Sequence, residues 1–424
     1  MLKELWQRRF LEHLGPICGF TECFIGGLFP FFLPILIPHM HPHASLSEAV
    51  ESNFDLISFS MWAYPLGSLI FGWWGDWMGR PSALRGAMGC ILIGLLVVLF
   101  TPLGMFWTVS LWFLALSLFH IGSGGEINGG AIYAVEQSLP EKRGSASGRV
   151  CFYSVLGILL SAACAALFSS YSQMAWQWPF VAGAILSVSI LGGIFWSRKQ
   201  VIPPSFSIQR VVRVVPSQVV VAFVVASLFG VAYYATFVYF TNVGSLLSGV
   251  SQKSISHLSV VGLGIYMIAL LWSGIQSDKW GIRAVMGAGA LAIAGCAPLC
   301  FWLVQKGAWG FLLGQGLMAL ASGLFIGPSH AFMNGLFPAR FRYRGIAWTY
   351  TMAMTCVGAI TPKICHWLSS TFPMYSAGWV WISLWSVVAF MVVCQQQYKK
   401  RSNNNEDETD PSTAILARTH HSRL

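Results

Sequence analysis

The sequence predicts an all-α polytopic membrane protein, with twelve transmembrane helices arranged as two six-helix repeats. Three observations predict it. Of the 424 residues, 55% are hydrophobic and only 9% charged, where a soluble domain carries roughly 25% charged residues. Apolar runs of at least ~18 residues, long enough to cross a bilayer as helix, recur along the whole chain. Helices are also the economical way to satisfy backbone N–H and C=O groups inside lipid. Finally, one charged segment occurs twice between apolar runs, as "FGWWGDWMGRPSALRG" at 71–86 and "WSGIQSDKWGIRAVMG" at 272–287.

Taken in order, the apolar runs give helices over 15–37, 54–75, 82–101, 106–134, 144–170, 176–196, 216–243, 256–276, 283–304, 308–334, 343–369 and 375–395. This count sorts the cations. One side holds Lys3, Arg8 and Arg9, then Arg80 and Arg85, then Lys142, Arg143 and Arg149. It continues with Arg198, Lys199, Arg210, Arg213, Lys279, Arg283, Arg340, Arg342 and Arg344, and ends with Lys399, Lys400 and Arg401. The opposite loops hold only Lys253 and Lys306. Such asymmetry is the positive-inside pattern, which places both termini in the cytoplasm of a cell bounded by this plasma (inner) membrane. The net charge of +10 is therefore a topology signal, and no nucleic-acid partner is expected.

Residues 1–196 form the first expected bundle, 197–215 a cytoplasmic linker rich in proline and arginine, and 216–395 the second bundle. The polar tail 396–424 is expected to be disordered. The charged start "MLKELWQRRF" leads into an apolar stretch too long for the core of a signal peptide, so the first helix is expected to be retained. The ten cysteines show no paired spacing and read as small apolar residues within helices. The outer loop "PHMHPH" (38–43) groups three histidines, but nothing completes a tetrahedral set, and no metal is expected.

Within the repeated segment, Gly72, Asp76 and Gly79 match Gly274, Asp278 and Gly281 at one constant offset. Both copies fall between the second and third helix of their half, and parallel six-helix repeats are characteristic of a large transporter architecture. Glycines permit a tight turn and close helix approach. An Asp at the cytoplasmic end of helix two can face the positive N-terminus of a helix from the other half, and Arg80 can pair with it or with another acid.

The segment resembles the loop motif G-x-x-x-D-[RK]-x-G-R-[RK] of the major facilitator superfamily. It departs from it where Trp77 replaces the first basic residue and Pro81 follows Arg80; in the second copy Ile282 stands at the Arg position and Arg283 follows. "GSGGEINGGAIYAVEQSLPEKRGSASG" (122–148) is similar to the fourth helix and following loop of the metabolite–proton symporter branch, which includes proline/betaine, α-ketoglutarate, citrate and shikimate carriers. "AWQWPF" (175–180) and "LFPARFRYRGIAWTYTMAMTCVGAITP" (336–362) look like that branch's sixth-helix start and eleventh helix. Its usual first-helix E-W-Y-D-F is replaced by "GFTEC" (19–23), which puts Glu22 at the Asp position. The resemblance implies a gate built from Gly72, Asp76, Gly79, Arg80, Glu136, Arg143, Asp278, Lys279, Gly281 and Arg283.

The acids inside the predicted helices are few: Glu22 in helix one, Asp55 at the outer edge of helix two and Glu126 in helix four. Ionisable side chains at that depth are costly and commonly line a pathway or pair with each other. Glu22, Glu126 and Asp55 are the proton-coupling candidates, with sodium as the other possible coupling ion and no further cofactor expected. On a helical wheel Glu126 shares a face with Gly122, Gly129, Gly130 and Tyr133, so that helix one bearing Glu22 can come close. Candidate solute contacts are Tyr133, then Tyr233, Tyr234, Tyr239 and Asn242 on helix seven, His330 and Asn334 at i, i+4 on helix ten, and Lys363 on helix eleven. Aromatic faces suit a quaternary ammonium; the same tyrosines also suit interface anchoring, and a Lys there can snorkel outward.

These features point to a monomeric secondary carrier in the lipid bilayer, moving a small organic solute such as proline, betaine or a carboxylate by alternating access. An amino-acid permease of the same fold and a non-transporting membrane receptor are the competing readings. No nucleophile elbow, H-E-x-x-H or paired catalytic carboxylate spacing marks an enzyme.

Overall fold

The computed structural model describes residues 2–40, 56, 59–168, 176–195, 216–339, 341–372 and 377–409. Among them the chain is helical without strands. The first six helices are α1 (Leu2–Met40), α2 (Ala63–Trp77), α3 (Arg80–Phe100), α4 (Thr108–Gln137), α5 (Arg143–Phe168) and α6 (Gln177–Phe195). A 3₁₀ turn, Pro140–Lys142, leads into α5. Six more follow the linker. They begin with α7 (Pro216–Tyr233, a π turn Tyr234–Tyr239, then Phe240–Ser248), α8 (Gln252–Trp280) and α9 (Ile282–Val304). The set closes with α10 (Gly307–Ile326 and Ser329–Leu336), α11 (Arg342–Ala353, a π turn Met354–Gly358, then Thr361–Thr371) and α12 (Trp379–Thr409). Twelve helices thus stand among the described residues, eight of them containing spans long and apolar enough to cross a membrane.

Two helix ends reach well beyond the sequence reading. α1 starts at Leu2 instead of residue 15, and α12 runs to Thr409, so residues 396–409, expected to be disordered, are helical. The reason is cooperative: once an apolar segment has nucleated a helix, each added residue gains a hydrogen bond without a new nucleation cost. Polar composition decides solvation there, not backbone conformation. The π turns in α7 and α11 also leave no trace in apolar periodicity; they show as i→i+5 bonds, Phe240 N–H to Ala235 O and Ala359 N–H to Met354 O (2.8 Å). The linker 197–215, Asp55, His41 and His43 lie outside the described residues.

The two copies of the charged segment make the same turn. Gly79 between α2 and α3 has φ +92°, and Gly281 between α8 and α9 has φ +89°, a region that side-chain-bearing residues seldom enter. Pro81 occupies the first turn of α3, where its missing N–H has no intrahelical partner to lose. The departure from the motif is therefore structurally neutral.

One apolar cluster joins α1, α3, α4 and α6 around Phe29, Trp112 and Phe180. A second centres on α7 to α12 and continues into α2 to α5 through Phe71, Ala83, Ile132 and Cys151. The two groups of helices meet along α2–α11 and α5–α8. At the latter, Gly148 and Gly274 lie back to back: a Cβ at Gly148 would stand 2.7 Å from the Leu270 carbonyl oxygen and 3.0 Å from the Gly274 Cα. Gly148→Leu is therefore expected to wedge α5 from α8 at a cost of about 1–3 kcal/mol. Spin labels placed across this seam should move apart in the variant; unchanged distances with normal transport would remove the glycine contact from the closing surface.

Candidate functional site

Two constellations bring the helix groups together, one at the end carrying the basic loops and one halfway along the bundle. At the basic end, Asp76 near the C-terminus of α2 accepts from Arg80 Nη1 (2.7 Å) and, on its other oxygen, from Arg344 Nε (2.9 Å) and the Arg344 N–H (3.2 Å). Asp76, Arg80 and Arg344 are almost wholly buried. The N–H belongs to the first turn of α11, so the carboxylate faces both a guanidinium and the positive end of a helix dipole. Arg80 also donates to the carbonyls of Gly75 (3.1 Å) and Ala339 (3.1 Å), and its guanidinium lies 5.1 Å from the Tyr343 ring centre. Glu136 at the end of α4 accepts from Arg342 (2.8 Å), with Arg80 at 3.5 Å.

The second copy repeats this arrangement with simpler chemistry. Asp278 on α8 accepts from the N–H groups of Gly144 (2.7 Å) and Ser145 (3.0 Å) and from the Ser145 hydroxyl, at the start of α5. Its partners are backbone and hydroxyl donors, so no cation is needed. The structure does not bring Arg143, Lys279 or Arg283 into this contact: Arg143 and Lys279 are exposed and Arg283 is half-buried. Gly72 serves the first copy by letting the Arg344 backbone close in, its absent Cβ lying 3.2 Å from the Arg344 Cα. Further links between the groups run toward mid-bundle: Tyr343 hydroxyl to Gly125 O (2.6 Å), Asn334 amide to Ile132 O (3.3 Å) and Thr351 hydroxyl to Ser68 Oγ (2.9 Å).

Halfway along the bundle, Glu22 on α1 accepts from the Ser123 hydroxyl of α4 and from the Cys23 thiol (3.1 Å). Glu126, one turn beyond Ser123, lies within electrostatic reach of Glu22 and is fully buried. Its polar neighbour is the Cys18 thiol, a weak donor, and neither carboxyl oxygen meets an N–H or O–H group. Tyr64 of α2, Tyr233 and Tyr234 of α7, and Tyr350 of α11 all lie within electrostatic reach of Glu22. The Tyr233 and Tyr234 rings stand perpendicular, 5.6 Å apart, and remain half-buried. Tyr233 and Phe237 pack on Tyr266 at 6.4 and 5.0 Å. His330 is held between Phe229 and Tyr350, each 6.0 Å away.

The other solute candidates lie elsewhere. Tyr239 stacks on Phe301 (5.7 Å) and its hydroxyl meets Ser369 (3.4 Å). Asn242 is exposed and donates to its own helix at Val238 O (2.8 Å). A π turn inserts about one residue, so Tyr239 and Asn242, at and beyond its end, stand roughly 100° from where an unbroken helix would carry them. Tyr133 is buried in the N-terminal apolar cluster, Asn334 serves the inter-group link, and Lys363 is exposed on the last part of α11. Of the glycines expected to admit α1, Gly130 does so, meeting Gly15 and Cys18, whereas Gly122 meets α3 and Gly129 meets Tyr343.

Sequence reasoning missed Cys18, Cys23, Ser123, Tyr64, Tyr350 and Arg344 as site residues. Arg344 carried a signal, since the stretch before α11 already matched a branch pattern; the others are ordinary membrane-helix residues until packing places them. Gln315 was missed as well. Its amide donates to Thr236 O (2.8 Å), a carbonyl inside the α7 π turn, and it is fully buried.

The comparisons agree with this architecture. A family model described as Major Facilitator Superfamily matches residues 17–257. The inner membrane metabolite transport protein YhjE of Escherichia coli (strain K12) is 25% identical over 378 residues, covering 81% of this chain and 84% of the relative. The proline/betaine transporter of Salmonella typhimurium (strain LT2) is 24% identical over 386 residues, covering 82% and 75%. Among solved structures, the proton:xylose symporter XylE bound to 6-bromo-6-deoxy-D-glucose superposes with a TM-score of 0.75 at 14% identity, covering 92% of this chain and 95% of that one.

Proposed function

Because the chain belongs to the Major Facilitator Superfamily, and is thus an integral membrane transporter and not an enzyme, we propose that it is a proton-coupled symporter for a small organic solute. Proline, a betaine or a carboxylate is the solute class, moved across the plasma (inner) membrane by alternating access, with both termini in the cytoplasm. It works as a monomer in the bilayer, and a proton is the coupling ion.

The observation that carries this reading is the pair Glu22 and Glu126 at mid-bundle, with tyrosines of the other helix group within electrostatic reach of Glu22. Titratable groups withdrawn from water in a bundle core mark ion pathways. A solute bound there touches both groups, so its binding senses their relative position. The Asp76 and Asp278 contacts seal the basic end and leave the solute site to be reached from the opposite side. Breaking them while the opposite end closes would complete the cycle.

The test is uptake by the full-length protein in proteoliposomes, with proline, glycine betaine and dicarboxylates offered in turn under an imposed pH gradient. At least one solute is expected to accumulate, and a protonophore should abolish the accumulation. Uptake that ignores the protonophore but follows sodium would reassign the coupling ion. Specific binding without flux for every solute would favour a receptor.

A further inference from the structure

Where a π turn gives way to an α-helix, the bonding register drops from i→i+5 to i→i+4 and one carbonyl is passed over. In α7 the turn ends with Phe240 N–H bonded to Ala235 O, so the carbonyl passed over is that of Thr236. The Gln315 amide of α10 takes it up (2.8 Å) and also donates to the Ser259 hydroxyl of α8 (3.2 Å), which in turn meets the Thr241 hydroxyl of α7 (2.9 Å). Gln315, Thr236 and Ser259 are buried. A reversed amide would set oxygen against the Thr236 carbonyl, so the amide fits one way round. Its Oε1 has no hydrogen-bond partner and faces Gly262 of α8, where a Cβ would stand 2.8 Å away. An unpaired buried oxygen is costly, which marks the N–H donors as the half of the amide that the fold uses. Farther out, Gly244 seats Phe311 of α10 and Ile255 of α8. From Thr236 onward, α7 is thus tied to both helices.

The π turn of α11 is built differently. Its side-chain donor is Thr361 of α11 itself, to Val357 O (2.9 Å), and the Thr355 hydroxyl is buried without a partner. Pro362 follows, with no N–H to return to the Gly358 carbonyl. Gly358 lies back to back with Gly230 of α7, where a Cβ on Gly230 would stand 2.8 Å from the Gly358 Cα, so α11 can slide there against bare backbone. The segment before this turn, Arg342–Ala353, carries Arg344 and Tyr343, which reach the first helix group. Resting on the transporter reading above, we propose that Gln315 is a positioning residue for transport. It clamps the α7 π turn to α8 and α10 so that these helices turn as one body, while the seal-bearing start of α11 swings on its own unclamped π turn when the basic end opens. The two turns thus look alike in the backbone but divide the work, one as a fixed bend and one as a joint.

The experiment uses the full-length protein in lipid. In the wild type, amide hydrogen exchange should be slower across 234–241 than across 354–361. Spin labels at Leu246 of α7 and Val261 of α8, both exposed, should report one sharp distance. Gln315→Met keeps the length of the side chain but not its donors; α7 beyond the turn should then rotate by up to roughly 100°, shifting or broadening that distance. Gln315→Glu in acidic buffer should restore it, since a protonated carboxyl can again donate to Thr236 O. Uptake of proline, glycine betaine and α-ketoglutarate is measured beside the wild type in the same buffer. Any solute that the wild type moves should enter at least ~10-fold more slowly with Gln315→Met, and recover with Gln315→Glu in acid. Equal or faster exchange at the α7 turn, an unmoved distance or full uptake in folded Gln315→Met, or a Gln315→Glu protein no better than Gln315→Met would overturn the inference. Thermal melting checks folding, and the wild-type exchange comparison decides if Gln315→Met does not fold. If none of the solutes moves while exchange and distances come out as expected, the transporter reading falls and the clamp stands.

Discussion

Asp76→Asn is expected to unseal the basic end of the bundle and shift the protein toward the conformation open on that side. Asp76 is the only carboxylate among the described contacts shared by Arg80 and Arg344, and all three side chains are buried. Removing one side of a buried ion pair costs roughly 3–5 kcal/mol, because the remaining charge is left without its partner. Asn keeps one acceptor oxygen, so the lower end applies, about a hundredfold in the ratio of closed to open forms. Spin-label distances across α2 and α11 should lengthen, and the melting temperature should fall. Asp278→Asn is expected to do less, since its partners are neutral N–H and O–H groups. An Asp278 variant more damaging than the Asp76 variant would mean that the α5–α8 contact, not the arginine pair, holds the seal.

Glu126→Gln is expected to abolish accumulation while preserving solute exchange. Glutamine matches the shape of the protonated carboxyl but cannot release a proton, so the two orientations can still interconvert with solute bound. What is lost is the energy of the proton gradient. One charge moved across 100 mV contributes about 2.3 kcal/mol, so roughly fifty-fold accumulation disappears for each 100 mV of membrane potential. Counterflow of labelled against unlabelled solute, measured beside net uptake, separates the two effects. Persistent gradient-driven accumulation in the variant would pass the proton to another group.

Much of the fold was legible from solubility and repetition. A chain with so few charges can satisfy its backbone in lipid only as helices, and the alternation of basic loops fixed how many there are. The repeated Gly-Asp-Gly pattern likewise located both turns, since the φ of Gly79 and Gly281 is a local demand. The candidate site was only half legible. Glu22 and Glu126 stood out because a carboxyl in an apolar run is rare. Ser123, Cys23, Tyr64 and Tyr350 did not, because each is unremarkable until packing sets it beside a carboxylate. Tyr239 and Asn242 were grouped with Tyr233 and Tyr234 by composition, and the π turn that separates their directions is not visible in composition or apolar pattern. Over 396–409 composition reported solvation while helix continuation from α12 set the backbone; 410–424 lie outside the described residues.

By itself the sequence determined the helical class, the number of helices, the duplicated turn and the identity of the two rare acids. These follow from hydropathy, charge placement and single-residue conformational limits, all of which act over a few neighbouring residues. Only the tertiary structure decided that Asp76 reaches Arg344 on α11, that Glu22 has a hydroxyl donor while Glu126 has only a thiol beside it, and that tyrosines from both helix groups lie within electrostatic reach of Glu22. Those depend on contacts between segments far apart in the chain, where close packing and partner supply, not local pattern, set the chemistry.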